Sequence, residues 1–299
     1  MGSRPCRPPP LPPIAADIRG RDPAVTEAPA RPVIGRDTTL CMSLAGRPGN
    51  FGSRFHNHLY AALGLDYVYK AFTTKDLPGA IGGVRALGIR GCAISMPFKE
   101  ACIPLLDALA PSAEAIASVN TIVNDDGHLT GHNTDYAAIA PLLRKHGVPV
   151  ETPFVARGSG GMAKAVVSAL RDAGFRNGTV VARNEAAGRA LAESCGYEWR
   201  RDLVAAPLLM NITPIGMEGG PEASELAFPE AMLAEARFVF DVVALPPETP
   251  LIRRARALGK TVITGAEVAV LQAVGQFVLY TGITPSDEQI AAAAAFARG

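Results

Sequence analysis

A chain of 299 residues with 48% apolar and 19% charged residues holds enough apolar material for two domains with cores, which excludes a disordered or fibrous protein. A formal net charge of +1 gives no electrostatic reason to expect a nucleic acid or an anionic membrane as partner, and the apolar runs fall short of the roughly 18 residues that span a bilayer. Five cysteines (Cys6, Cys41, Cys92, Cys102 and Cys195), odd in number and without C-x-x-C spacing, read as free thiols in a reducing cytoplasm.

Residues 1–33 hold nine prolines, Pro8-Pro9-Pro10 among them, and almost no apolar periodicity. No continuous apolar core follows their arginines, so they are expected to form a disordered leader rather than a secretory signal. From residue 34 strand-like and helix-like segments alternate. Leu40–Leu44 is a short apolar run. Phe55, Leu59, Ala62 and Leu63 then recur at helical spacing before Gly64. Tyr67–Phe72 reads as a strand, Asp76–Leu87 as a helix capped by Asp76 and stopped by Gly88, and Ile89–Met96 as a third strand. Segments 118–123 and 128–131, joined by Asp125-Asp126-Gly127, read as a hairpin. This order predicts an α/β domain with a mainly parallel sheet covered by helices.

A second alternating region follows Asp135. Phe154–Ala156 is a short strand that runs into Gly158-Ser159-Gly160-Gly161-Met162-Ala163. Ala163, Val166, Val167 and Leu170 mark one helical face, Gly174 closes it, and Val180-Val181 is the next strand. Further strands are expected at 208–212, 238–243 and 261–263. Leu271, Val274 and Val278 share a helical face, and Ser286 with Gln289 makes a capping box for a terminal helix.

The glycine loop fits G-x-G-x-x-A in its required setting, after a strand and opening a helix. The first glycine permits a tight turn, the second lets backbone approach a pyrophosphate, and Ala163 lets the helix pack closely. The helix N-terminus adds partial positive charge. Past the second strand, Arg183-Asn184 stands where an NAD site usually carries an acid, and an arginine there favours the 2′-phosphate of NADP. Glu185 remains a possible ribose acceptor, which keeps NAD open. In the first region Pro97 suits a helix start and puts Lys99 in the first turn, where the dipole disfavours a cation. Such a setting suits a lysine that takes up and returns a proton. A solvated lysine and a plain N-capping aspartate are the bland readings of Lys99 and Asp135, but both stand at element ends beside one expected cleft.

These residues resemble the shikimate dehydrogenase family. Ile94-Ser95-Met96-Pro97-Phe98-Lys99 looks like its V-T-x-P-F-K segment, and Ser118-Val119-Asn120-Thr121 like its A-V-N-T. Asn133-Thr134-Asp135 is similar to its N-T-D, residues 211–217 to its N-A-T-P-x-G-M, and Gln272 to the glutamine of its closing helix. The order is unbroken over about residues 38–285. The resemblance implies a two-domain α/β enzyme with a Rossmann-type dinucleotide domain, and reversible NADP-dependent oxidation of shikimate to 3-dehydroshikimate. It implies Lys99 and Asp135 as the catalytic pair, and Ser95, Asn120 and Gln272 as contacts to substrate hydroxyls. Thr213 and Gly265 join Gly158, Ser159, Gly160, Gly161, Met162, Ala163, Arg183 and Asn184 as expected cofactor contacts.

The chain departs from the family around the substrate. Asn50-Phe51-Gly52 replaces a Ser-x-Ser pair that holds the substrate carboxylate: Asn50 can still donate, while Gly52 offers no side chain. Ala93 replaces an asparagine, Ala244 a tyrosine, and Tyr136 a glycine, the last expected to narrow the cleft. A divergent branch is therefore expected. His56 and His58 lie two apart, and His128 and His132 lack acidic or cysteine partners at ligand spacing, so no metal site is expected. The substrate domain is expected over 34–135 plus 270–299 and the NADP domain over 136–269. The protein is expected to act on a small molecule as a monomer or homodimer in the cytoplasm. An NAD-dependent quinate dehydrogenase, an aminoshikimate-type enzyme and a non-catalytic metabolite sensor are the alternatives.

Overall fold

The computed structural model describes residues 33–299, and the expected leader, apart from Val33, lies outside them. Two six-stranded sheets follow one another along the chain. The first contains β1 (Thr39–Leu44), β2 (Tyr67–Phe72), β3 (Gly91–Ile94), β4 (Ala108–Leu109), β5 (Thr121–Asp125) and β6 (His128–His132), in the order β2-β1-β3-β5-β6-β4. β1 pairs parallel with β2 and β3, which requires crossovers through α1 (Phe51–Ala62) and α2 (Leu77–Ala86). β5 then runs antiparallel to β3 and to β6. The hairpin turns at Asp126 (φ 50) and Gly127 (φ 91), the left-handed pair that a two-residue loop needs.

The second sheet is parallel throughout, in the order β12-β11-β10-β7-β8-β9, and it is doubly wound. Its strands are β7 (Phe154–Arg157), β8 (Gly178–Val181), β9 (Glu198–Arg200), β10 (Leu208–Asn211), β11 (Phe238–Asp241) and β12 (Thr261–Ile263). Chain order reverses between β7 and β10, and the crevice beyond their carboxyl ends is where sheets of this kind take ligands. One face packs on α6 (Gly161–Asp172) through Ala163, Val166, Val167 and Leu170, all wholly buried. The other face buries Val155, Val181, Leu209 and Val239 against the segments that hold Phe228, Leu233, Leu251 and Ile252. The third strand of the first sheet is shorter than its apolar run suggests, because Ser95 to Pro97 leave the ladder to start the one-turn helix α3 (Phe98–Ala101).

Two helices tie the sheets together. Alpha-helix α5 (Thr134–Lys145) lies against both α6 and α10 (Gly265–Thr281). Along α10, Val268 enters the second sheet's core, while Val274, Phe277 and Tyr280 enter the first. A capping box of Thr264 and Glu267 starts α10, and the expected box of Ser286 and Gln289 starts α11 (Asp287–Arg298). The latter packs on α1, where Arg54 donates two hydrogen bonds to the Phe296 carbonyl. Buried cysteines Cys41, Cys92, Cys102 and Cys195 are free, and no helix among the described residues is long and apolar enough to cross a membrane.

Candidate active site

Lys99 and Asp135 come from different elements and meet. Pro97 is the N-cap of α3, one place earlier than the sequence suggests, so Lys99 is that helix's second residue. Its carbonyl accepts from the Val119 amide, which fixes α3 beside the segment leading into β5. Asp135 stands in the first turn of α5, whose N-cap Asn133 accepts from the Tyr136 amide and donates to the Ser118 carbonyl. The Thr134 amide donates to Asn120 Oδ1 at 2.8 Å. Segments 118–121 and 133–135 thus form one hydrogen-bonded unit that presents Asp135. Lys99 Nζ donates to Asp135 Oδ2 at 2.5 Å, with side chains 20% and 3% exposed. An ion pair this sheltered is screened little by solvent, and the lysine is its more exposed member.

The glycine loop begins beside this pair. Gly158 has φ 140, and a Cβ there would stand 2.5 Å from the Ile212 carbonyl oxygen, so only glycine lets β7 turn into the loop next to β10. Gly160 caps α6 and has open space where a side chain would project. A Cβ at Gly161 would lie 3.4 Å from Ser118 Oγ and 3.9 Å from Lys99 Cδ, which sets the start of α6 against Lys99. Lys164 Nζ and Glu100 Oε1 pair at 2.8 Å across the same junction. Open backbone at Gly160 and the unpaired amides at the start of α6 fit a pyrophosphate. Ser159 and Met162 belong to this loop, and Ala163 is the small residue on which the helix packs.

A buried network holds the loop after β10. Asn211 accepts from the Thr213 amide and hydroxyl, and donates to the Ile215 carbonyl and to Asp241 Oδ1 at 2.9 Å. Asp241 also accepts from the Thr249 hydroxyl and the Val243 amide. Burial raises the Asp241 carboxyl to about 6 against the opposite pull of these hydrogen bonds. Gly265 presses against the Val243 carbonyl, where a Cβ would come within 2.3 Å. Thr213 and Gly265 are thereby fixed at the carboxyl edge of the second sheet.

The expected substrate contacts have unequal placements. Ser95 is exposed directly after β3, and Gln272 is half-buried on α10. Asn50 is the exposed N-cap of α1, and its side chain makes no capping bond. Asn120 is wholly buried, with its amide engaged to Thr134 and Thr121. Tyr136 does not narrow the cleft as expected. Its hydroxyl donates to Asp172, at the end of α6 roughly 16 Å from the glycine loop by helical rise. His56 is a core residue stacked on Tyr69 at 4.5 Å between ring centroids, and burial lowers its pKa to about 3. Arg183 is exposed and bonded to Glu222, while Asn184 caps α7 (Glu185–Cys195). Sequence reasoning missed Arg157, Glu222 and the Asn211–Asp241 pair. Arg157 was readable as a charge ending an apolar strand, whereas nothing local marks Glu222.

The family model described as Shikimate dehydrogenase substrate binding domain matches residues 51–122. A shikimate dehydrogenase-like protein of Haemophilus influenzae is 58% identical over 89% of this chain and 99% of its own length. The NADP(+) shikimate dehydrogenase of Moorella thermoacetica is 36% identical, over 82% of this chain and 89% of its own. The crystal structure of shikimate 5-dehydrogenase from Thermus thermophilus, in complex with NADP(H) and shikimate, is 32% identical with a TM-score of 0.77, covering 87% of this chain and 100% of that one. With that sequence likeness over nearly the whole described chain and the same two-sheet architecture, the chain belongs to the shikimate dehydrogenase family, in a divergent, shikimate dehydrogenase-like branch.

Proposed function

We propose that this protein is an NADP-dependent oxidoreductase that reversibly oxidises a secondary hydroxyl of shikimate, giving 3-dehydroshikimate, or of a close cyclic hydroxy acid. The observation that carries the reading is the 2.5 Å contact of Lys99 with Asp135, with the start of α6 beside the lysine. A dinucleotide, when bound, supplies the hydride acceptor. Lys99, as the amine, accepts the hydroxyl proton as hydride leaves the carbon, and in the reverse direction its ammonium returns the proton to the forming alkoxide. Asp135 holds the lysine and the hydroxyl in line. Exposed Ser95 and Asn50 and half-buried Gln272 stand ready to contact the ring substituents. Asn120 acts through Thr134, orienting the turn that carries Asp135.

A cofactor-reduction screen with shikimate, quinate and related cyclic hydroxy acids, run in parallel with NADP and NAD, tests the proposal. Reduction of NADP by at least one of these acids is the expected result. Faster reduction of NAD, with quinate as the best substrate, would replace it by a quinate dehydrogenase. Binding of the acids without reduction of either dinucleotide would replace it by a metabolite sensor.

A further inference from the structure

Arg157 ends β7 and Arg183 follows β8, its parallel neighbour, with Arg157 in register with Val181. Val155 and Val181 bury on the face of the sheet that also holds Ala227 and Phe228. Strand alternation sends Arg157 to that same face, where its guanidinium donates to the Ala227 carbonyl. Arg183 Nη1 donates to Glu222 Oε1 at 3.3 Å on the same side. Glu222 lies in the loop between β10 and α8 (Glu230–Glu235), and its own carbonyl accepts from the Gly216 amide at 2.9 Å. Its side chain is 24% exposed against 76% for Arg183, so the carboxylate is the fixed partner and the arginine the free one. Burial lowers the Arg157 pKa, and the charges it feels are those of Glu222, Arg183 and Glu225.

We propose that Arg157 and Arg183 form a two-arginine clamp for a phosphate on the adenosine ribose, and that Glu222 is a built-in carboxylate that occupies the clamp and weakens its preference for phosphorylated dinucleotides. The proposal rests on the dinucleotide reading of the glycine loop and adds two residues to it. Two guanidinium groups on one face of neighbouring strand ends repel, and Arg157 is partly buried, so an anion between them is favoured. A carboxylate brings one charge and two oxygens. A phosphate brings close to two charges and three acceptor oxygens, and it satisfies both forks better. Entry of the phosphate displaces Glu222 from Arg183 and sets two anions side by side. The carboxylate therefore opposes phosphate binding, while the same carboxylate can accept from an unmodified ribose hydroxyl.

Calorimetric titration of the full chain with adenosine 2′,5′-bisphosphate and with 5′-AMP tests this, in the wild type, Glu222→Gln and Arg157→Met. Glu222→Gln is expected to tighten the bisphosphate about tenfold and to weaken 5′-AMP a few-fold, because a neutral amide oxygen accepts less strongly from the ribose hydroxyl. Arg157→Met, which keeps an unbranched apolar stem, is expected to weaken the bisphosphate about tenfold and spare 5′-AMP. If Arg157→Met fails to fold, Arg157→Lys keeps the charge without the fork and is expected to shift the same ratio in the same direction. An unchanged affinity ratio in Glu222→Gln, or equal losses for both nucleotides on replacing Arg157, would overturn the clamp and leave the dinucleotide reading standing. Failure of every variant to bind either nucleotide would overturn both.

Discussion

Lys99 and Asp135 are 36 residues apart in sequence, yet Nζ and Oδ2 stand 2.5 Å from each other. Neither side chain reaches the other by local structure. The contact exists because the hairpin β5–β6 folds back and returns Asn133 to Ser118, and Thr134 to Asn120. Lys99→Ala is expected to lower turnover by roughly 10²–10⁴ while NADP affinity stays within a few-fold. It also strands a carboxylate that is 3% exposed, so a fall in Tm is expected alongside. Asp135→Asn removes the charge with little change of shape and is expected to lower kcat without that loss of stability. Near-normal turnover in Lys99→Ala, measured on folded protein, would remove the lysine from its role.

Two glycines in the same loop separate folding from binding. A methyl at Gly158 meets the Ile212 carbonyl at 2.5 Å in a backbone conformation with φ 140. Gly158→Ala is therefore expected to lower Tm by several degrees, on the order of 2 kcal/mol or more of strain, and to abolish measurable dinucleotide binding. Gly160 has φ −80 and open space around it. Gly160→Ala is expected to keep its Tm and still lose at least tenfold in dinucleotide affinity, because the methyl projects where backbone must approach a pyrophosphate. Thermal melts paired with fluorescence titration distinguish the two, and wild-type affinity in Gly160→Ala would move the cofactor elsewhere.

The parts legible in the sequence are those governed by short-range rules. Tyr67–Phe72 is rich in aromatic and branched residues and Thr261–Ile263 is β-branched throughout, and both strands occur with the expected bounds. Asp76 and Ser286 stand at true helix starts because a side-chain oxygen serves an amide three residues on, within local reach; Asn184, expected only as a cofactor contact, caps α7 in the same way. The short strands β4 and β9 escaped notice because two or three residues give no measurable period. Tyr136 was misread for a different reason. Its neighbour Asp135 faces the lysine, but one residue along a helix turns the side chain by about 100°, toward Asp172. Arg157, Glu222 and Asp241 draw their meaning from partners 26 to 70 positions away, and no window of sequence holds both ends.

The gap at Gly52 offers a gain-of-function experiment. A Cβ built there meets the Tyr69 hydroxyl at 3.5 Å, an ordinary contact, so a small side chain fits without displacing the strand. Gly52→Ser returns one hydroxyl to the position where the family carries its second serine. A hydrogen bond to a charged carboxylate contributes about 1.5–3 kcal/mol, and the lower end of that range is about tenfold in affinity. The expected outcome is a KM for shikimate about tenfold lower, with kcat nearly unchanged, since the new contact is to the carboxylate, which does not react. An unchanged KM in a variant with wild-type Tm would mean that the native substrate presents no carboxylate at this place.

Acid stability is expected to depend on Glu267, where α5 and α10 meet. Burial alone would raise this carboxyl, but hydrogen bonds from His146 and from the Thr264 amide, with the charges of His146 and Lys145, outweigh it and bring the group to about 2. A carboxyl depressed in the folded state binds fewer protons there than in the unfolded chain. Its contribution is therefore present above the usual 4.5 and is lost as pH falls from that value toward about 2. With its side chain 26% exposed, the group contributes on the order of 2 kcal/mol at neutral pH. Asp241 works in the opposite sense: raised to about 6, it favours the folded state most below 3.8, and that contribution disappears as pH rises through 6. Urea unfolding across pH 3 to 7 is expected to show Glu267→Gln less stable than wild type at pH 7 and converging with it toward pH 3. Asp241→Asn is expected to remove the decline between pH 4 and 6. A Glu267→Gln variant that runs parallel to wild type across that range would show that the helix junction is held by packing and capping rather than by charge.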